Sequence, residues 1–111
     1  MNISKEDILR VNQGFGGGLR SSSSLEYAID MQNSRKLGIY KKLAYLMRAI
    51  LVDHPFTDAN KRTASFLAIS FADENKKKVD MNLLLHHITS IASQNIIEIK
   101  NIEWRLKSCI K

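Results

Sequence analysis

Apolar residues recur at helical spacing along most of the chain. Tyr40, Leu43, Ala44, Met47 and Leu51 follow the i, i+3, i+4, i+7, i+11 template and predict an amphipathic helix over about 37–52. Met81, Leu84, Leu85, Ile88, Ile91 and Ala92 mark another. Ile99, Ile102, Leu106, Cys109 and Ile110 mark the last, reached through Asn95-Ile96-Ile97-Glu98. Near the start, Ser4-Lys5-Glu6-Asp7 reads as a capping box opening a short helix with Ile8, Leu9 and Val11. Ser23-Ser24-Leu25-Glu26 reads as a second, opening a helix to about Gln32. Residues 64–72 (Ala-Ser-Phe-Leu-Ala-Ile-Ser-Phe-Ala) are apolar almost all round, which predicts a helix in the middle of the core. Between the first two helices, Asn12 to Ser24 is a flexible loop by composition. No strand alternation competes and no internal repeat is visible. The pattern predicts an all-α bundle of about six helices.

Composition narrows this little. A chain of 111 residues that is 44% hydrophobic and 25% charged is expected to form a single domain, residues 1–111, with one core. The lone Cys109 has no internal disulfide partner, and no apolar run reaches membrane-spanning length. The first residues carry no secretory h-region, so a cytoplasmic protein is expected. The net charge of +6 points toward nucleic acid, but its distribution argues against that partner. Residues 76–111 carry +4 of it, and Lys76-Lys77-Lys78 lacks interleaved aromatics and reads as a solvated turn.

The chemistry concentrates in His54-Pro55-Phe56-Thr57-Asp58-Ala59-Asn60-Lys61-Arg62. Pro55 ends the preceding helix and puts His54 in an extended or turn conformation. The segment then runs into the apolar helix, whose N-terminal N–H groups and partial positive charge attract anions. A neutral imidazole at His54 is suited to take a proton from an attacking hydroxyl. Alone at a helix exit it would do no more than bond nearby carbonyls; with Asp58 four residues on, the base role is preferred. Phe56 is expected to point inward and pin the loop. Asp58 can cap the helix or hold Mg²⁺, a cation usually bound by one or two carboxylates plus ligand phosphates. Asn60, Lys61 and Arg62 add donors for phosphate oxygens. Two cations on a first helical turn oppose the macrodipole unless an anion joins them, a conflict typical of functional sites. Elsewhere, His86 and His87 point about 100° apart and predict a surface or boundary role rather than a shared metal. Zinc at His54 and Asp58 lacks a third ligand at a helpful spacing. Trp104 and Cys109 read as core or boundary residues.

The segment His-Pro-Phe-Thr-Asp-Ala-Asn-Lys-Arg-Thr-Ala resembles the signature of the Fic/Doc superfamily, and more narrowly its Doc (death-on-curing) branch. The Fic consensus reads His-x-Phe-x-Asp/Glu-Gly-Asn-Gly-Arg-x-x-Arg; here Ala59 and Lys61 stand for its two glycines and Ser65 for its second arginine. Gly18-Leu19-Arg20 followed by Leu25-Glu26-Tyr27-Ala28-Ile29 is similar to a second family segment. The resemblance implies a compact Fic-like bundle with the active-site loop at the N-terminus of a buried central helix. It implies His54 as general base, Asp58 as Mg²⁺ ligand, and Asn60, Lys61 and Arg62 as nucleotide phosphate anchors, with ATP and Mg²⁺ as cofactors. It further implies a flap for the target peptide at residues 14–24, to which Arg20 belongs, although the serines after it depart from the family's acidic residue.

Lys61 fills space that glycine leaves for a close diphosphate and adds a charge, and Ser65 removes a cationic contact. Both departures favour transfer of the γ-phosphate over transfer of AMP. The leading expectation is therefore a toxin of a toxin–antitoxin pair. It would phosphorylate a Ser/Thr hydroxyl of a translation factor resembling elongation factor Tu, and an antitoxin with a segment that folds on binding would neutralise it. Two alternatives stand beside it: a Fic-type adenylyltransferase, and a catalytically silent binding module.

Overall fold

The computed structural model describes residues 1–111 and contains six helices: α1 Lys5–Gly14, α2 Ser23–Gln32, α3 Ile39–Leu51, α4 Asn60–Glu74, α5 Met81–Ser93 and α6 Ile99–Cys109. There is no sheet; two isolated antiparallel bridges, Leu19 to Phe56 and Val79 to Ile110, tie loops together. The all-α expectation holds.

The first capping box forms as predicted: Ser4 Oγ accepts from the Asp7 amide at 3.1 Å and the Asp7 carboxylate from the Ser4 amide at 3.0 Å. The Ser4 amide first, and the Ser4 hydroxyl beside it, favour the Asp7 anion and hold its carboxyl below the usual range. The second box does not form. Helix α2 is capped at Ser22, one residue earlier than predicted, and the Ser22 hydroxyl accepts from no helix amide but donates to the Glu26 carboxylate at 3.4 Å. Glu26, the acid that would complete a box, instead lies 3.2 Å from Lys5 of α1.

Helix α3 is the axis of the bundle and packs against α2, α4, α5 and α6. Its predicted stripe is inside: Leu43, Ala44, Met47 and Leu51 are fully buried. Tyr40 keeps its ring at the core edge, and its hydroxyl donates to the Ile110 carbonyl at 2.6 Å. Helix α4 packs on α1, α3 and α5 through Thr63, Ala64, Leu67, Ala68, Phe71 and Ala72. It is not enclosed all round, because Phe66 and Ile69, three positions apart, form an exposed stripe on its other side. One cluster of 24 buried residues, drawn from all six helices and the loops beside them, makes the core.

Two further sequence expectations need correction. Trp104 is 67% exposed. The buried stripe of α6 is Ile102, Leu106 and Cys109, and a residue two positions from both Ile102 and Leu106 lies about 200° round the helix from each, so it faces out. His87 is buried rather than superficial, while His86 beside it is exposed. Arg105, which can only donate, lies 2.9 Å from His87 Nδ1, so that nitrogen accepts and Nε2–H faces Ser108 Oγ at 3.1 Å. Burial first, then Arg105 and His86, hold its pKa below the ordinary histidine value. Cys109 is buried as expected, and burial pushes its thiol up to about 11.

Candidate active site

The loop between α3 and α4 is built from strained backbone held in place from outside. His54 has φ +48° and Ala59 has φ +61°, both in the left-handed region that non-glycine residues rarely enter. Such residues cost on the order of 1–3 kcal/mol each and persist only where their surroundings dictate them. Pro55 does push His54 out of the right-handed helical region, as predicted, but into a left-handed turn rather than an extended one.

Three braces hold this shape. Phe56 is buried at 1% exposure and pins the loop to the core, as its position in the motif predicted. Asn60 closes the loop on itself: its Oδ1 accepts from the Phe56 amide at 3.3 Å and its Nδ2 donates to the Phe56 carbonyl at 3.0 Å. The third brace is the segment after α1. Arg20 donates from its guanidinium to the His54 carbonyl at 2.6 Å, and the amides of Arg20 and Ser21 donate to the Pro55 carbonyl at 2.7 and 3.1 Å. The Thr57 amide donates to the Gly18 carbonyl at 2.9 Å. The segment that composition marks as flexible thus lies along the motif as a short antiparallel neighbour.

The same loop opens on a cavity of about 450 Å³ lined by His54, Thr57, Asp58, Ala59, Asn60, Lys61 and Arg62. All five residues singled out from the sequence meet there. His54 is half-buried, whereas Asp58, Lys61 and Arg62 are exposed. Asp58 is not the N-cap of α4; Ala59 is, and no side chain caps the helix. One Asp58 oxygen accepts from the Ala59 amide at 2.7 Å, which leaves the other oxygen free. Lys61 and Arg62 make no ion pair, so neither charge is neutralised within the chain; the Arg62 guanidinium lies 5.8 Å from the Phe15 ring centre. Asn60 spends most of its amide on Phe56 and can offer a ligand its remaining Nδ2 proton and its backbone N–H. Ser65 donates to the Lys61 carbonyl at 2.8 Å and brings no cation.

The donor set suits a phosphorylated anion carrying a hard cation. Uncapped helical N–H groups, a lysine and an arginine can hold phosphate oxygens, and the free oxygen of Asp58 can take one position on Mg²⁺. No group of three or more His, Cys, Asp or Glu side chains converges anywhere in the chain, so a site built on protein ligands alone does not arise here. A larger groove of about 530 Å³ runs between α2 and α3, lined by residues including Tyr27, Tyr45, Arg48 and Asp53. Its one arginine lies over the Tyr45 ring and donates to the Ile97 carbonyl at 3.2 Å, and the groove lacks the convergence of base, acid and cations.

Sequence reasoning missed one participant. Asn12, assigned to the flexible loop, belongs to the last turn of α1 and is fully buried. It reaches the motif by donating to the Asp58 carbonyl at 2.9 Å. No local signal separates it from the glycines that follow. No helix is long and apolar enough to cross a membrane. A model of the Fic/DOC family matches residues 3–72, the stretch that contains α1 to α3, all but the last two residues of α4, and the whole cavity. No curated protein matches the chain, and no solved structure does.

Proposed function

Because the chain belongs to the Fic/DOC family, whose members generally transfer nucleotide-derived groups to proteins, we propose that it is a protein kinase of the Doc type. It moves the γ-phosphate of ATP to a Ser/Thr hydroxyl of a translation factor resembling elongation factor Tu. The observation that carries the proposal is the meeting of His54, Asp58, Lys61 and Arg62 in one cavity at an uncapped helix N-terminus. Lys61 lines that cavity where the Fic signature has a glycine, and Ser65 supplies no second arginine. Both differences favour the pose that presents the γ-phosphate.

In this reading the acceptor hydroxyl attacks the γ-phosphorus and the bond from that phosphorus to the bridging oxygen breaks, releasing ADP. An imidazole nitrogen of His54 takes the hydroxyl proton as the new bond forms. Lys61, Arg62 and the free N–H groups of α4 hold the phosphate oxygens, and the Asp58 carboxylate holds Mg²⁺, which supplies charge neutralisation when bound. Phosphoryl transfer depends mainly on positioning and charge, so this small set is sufficient. Residues 17–21 lie along the motif and are the place where a target segment would be presented. An activity that stops translation requires a neutralising partner, which makes the chain the toxin of a toxin–antitoxin pair.

The test pairs ATP labelled at the α- or the γ-phosphate with Mg²⁺ and elongation factor Tu, with His54→Ala as control. Label from the γ position that disappears in the variant is expected. Label from the α position would replace the kinase by an adenylyltransferase, the second reading the family match supports. Transfer undiminished in His54→Ala would remove His54 from the mechanism.

A further inference from the structure

Outside the cavity, the least ordinary polar group in the chain is the Asn12 side chain. It is fully buried, yet it sits on α1, a helix with only one other buried residue, Ile8. Its Nδ2 donates to two acceptors, the Asp58 carbonyl at 2.9 Å and Thr63 Oγ1 at 3.1 Å. Its Oδ1 is sealed from solvent without a hydrogen-bond partner. The Asp58 carbonyl fixes the orientation of the amide, because it can only accept and the reversed amide would set Oδ1 against it. A buried acceptor without a protein partner is costly, and the two bonds that Nδ2 makes offset that cost.

What Nδ2 holds is the hinge point of the anion site. Asp58 and Ala59 share the peptide plane that leads into α4. Its carbonyl is held by Asn12 and its N–H, 2.7 Å away, by the Asp58 carboxylate. Rotation of that plane would swing the carboxylate off the cavity and release Ala59 from its left-handed conformation. Thr63, whose hydroxyl takes the second bond, anchors the far end of the same turn through its amide to the Ala59 carbonyl at 2.9 Å. Gly17 confirms how tightly the three groups are stacked: a Cβ there would stand 2.6 Å from Asn12 Nδ2 and 2.6 Å from the Asp58 carbonyl oxygen. The carbonyl of Asn12 also accepts from the Gly17 amide at 3.1 Å, so one residue joins α1, the segment after it and the motif.

We infer that Asn12 is a positioning residue for the phosphate-binding turn. Through the Asp58 carbonyl it sets the direction of the Asp58 carboxylate and of the free N–H groups of α4. The inference rests on the reading of the cavity as a nucleotide site, and its test has a part that needs no nucleotide. Asn12→Leu and the milder Asn12→Ser, each shown folded by circular dichroism, are compared with the parent by amide hydrogen exchange and by calorimetric titration with Mg·ATP. Exchange at Ala59 and Thr63 is expected to accelerate roughly tenfold, the factor carried by one buried hydrogen bond, with the α3 amides unchanged. Affinity for Mg·ATP is expected to fall by about the same factor. If Asn12 only docks α1 on α4, exchange quickens along α1 while Ala59 and Thr63 keep their rates, which overturns the inference. A variant that binds Mg·ATP as tightly as the parent overturns it too. A parent chain that binds no Mg·ATP refutes the nucleotide reading instead, and the exchange at Ala59 and Thr63 then decides the clamp alone.

Discussion

Gly17→Ala is expected to be the most damaging single-methyl change available in the first 20 residues. The added Cβ would collide with the Asn12 amide and stand 2.6 Å from the Asp58 carbonyl oxygen, where ordinary C···O contacts are about 3.3–3.6 Å. Neither neighbour can yield. Asn12 is fully buried, and the carbonyl belongs to a backbone held on both sides. Overpacking of this kind costs roughly 1–3 kcal/mol and the lost Asn12 bond about 1 more, so a destabilisation of about 2–4 kcal/mol follows. At ~2.1 cal/mol/K per residue, a chain of 111 residues has an unfolding entropy near 0.23 kcal/mol/K, which places the fall in Tm at about 9–17 °C. Two neighbours serve as controls. Gly16 has φ +86° and open space around it, so Gly16→Ala strains only the backbone, by about 1–2 kcal/mol, and lowers Tm by roughly 4–9 °C. Gly14 ends α1 with no positive φ and nothing within 4 Å, so Gly14→Ala is expected to raise Tm by about 2–4 °C. Thermal melts of the three variants followed by circular dichroism give the order directly. If Gly17→Ala melts at or above Gly16→Ala, the packing of Asn12 against Asp58 described above is wrong.

Lys61→Gly restores the glycine of the Fic signature and is expected to cut γ-phosphate transfer by about 10²-fold while α-label transfer rises; a variant that keeps the parent's γ rate refutes the role given to the lysine. His87 binds its proton more weakly folded than unfolded. Its contribution to stability is therefore full above about pH 6.5 and is lost as the pH falls through its lowered value. Denaturant unfolding between about pH 7.5 and pH 5 should show a steeper decline for the parent than for His87→Gln, and equal slopes would contradict the buried neutral imidazole. Trp104→Ser should change stability by no more than about 0.5 kcal/mol, since the indole faces water, and the parent's fluorescence should be that of a solvated indole. A larger loss would mean that Trp104 packs against something.

Most of the architecture was legible because helices announce themselves locally. The stripe Leu43, Ala44, Met47, Leu51 and the Ser4–Asp7 box needed no information from outside their own segments. The errors arise where a distant partner decides. Glu26 looked like half of a capping box and is drawn to Lys5, 21 positions away. Asn12 looked like loop and reaches across 46 and 51 positions to Asp58 and Thr63. Trp104 reads as core or boundary by residue type alone, although its offset from Ile102 and Leu106 points it outward. The cavity residues were legible because the motif is contiguous and each chemical group is present in it. What the motif could not disclose is the shape it takes, since Arg20 and Asn12 impose that from other elements.

The left-handed turns at His54 and Ala59 bear on any attempt to transplant this signature. A synthetic peptide of residues 54–62 would carry every reactive group and relax out of both turns, because it leaves behind the guanidinium and amide that hold them. Grafting the nine residues into another helical scaffold meets the same obstacle. The smallest portable unit is the motif together with the end of α1 and residues 17–21, three pieces that a host would have to supply in register.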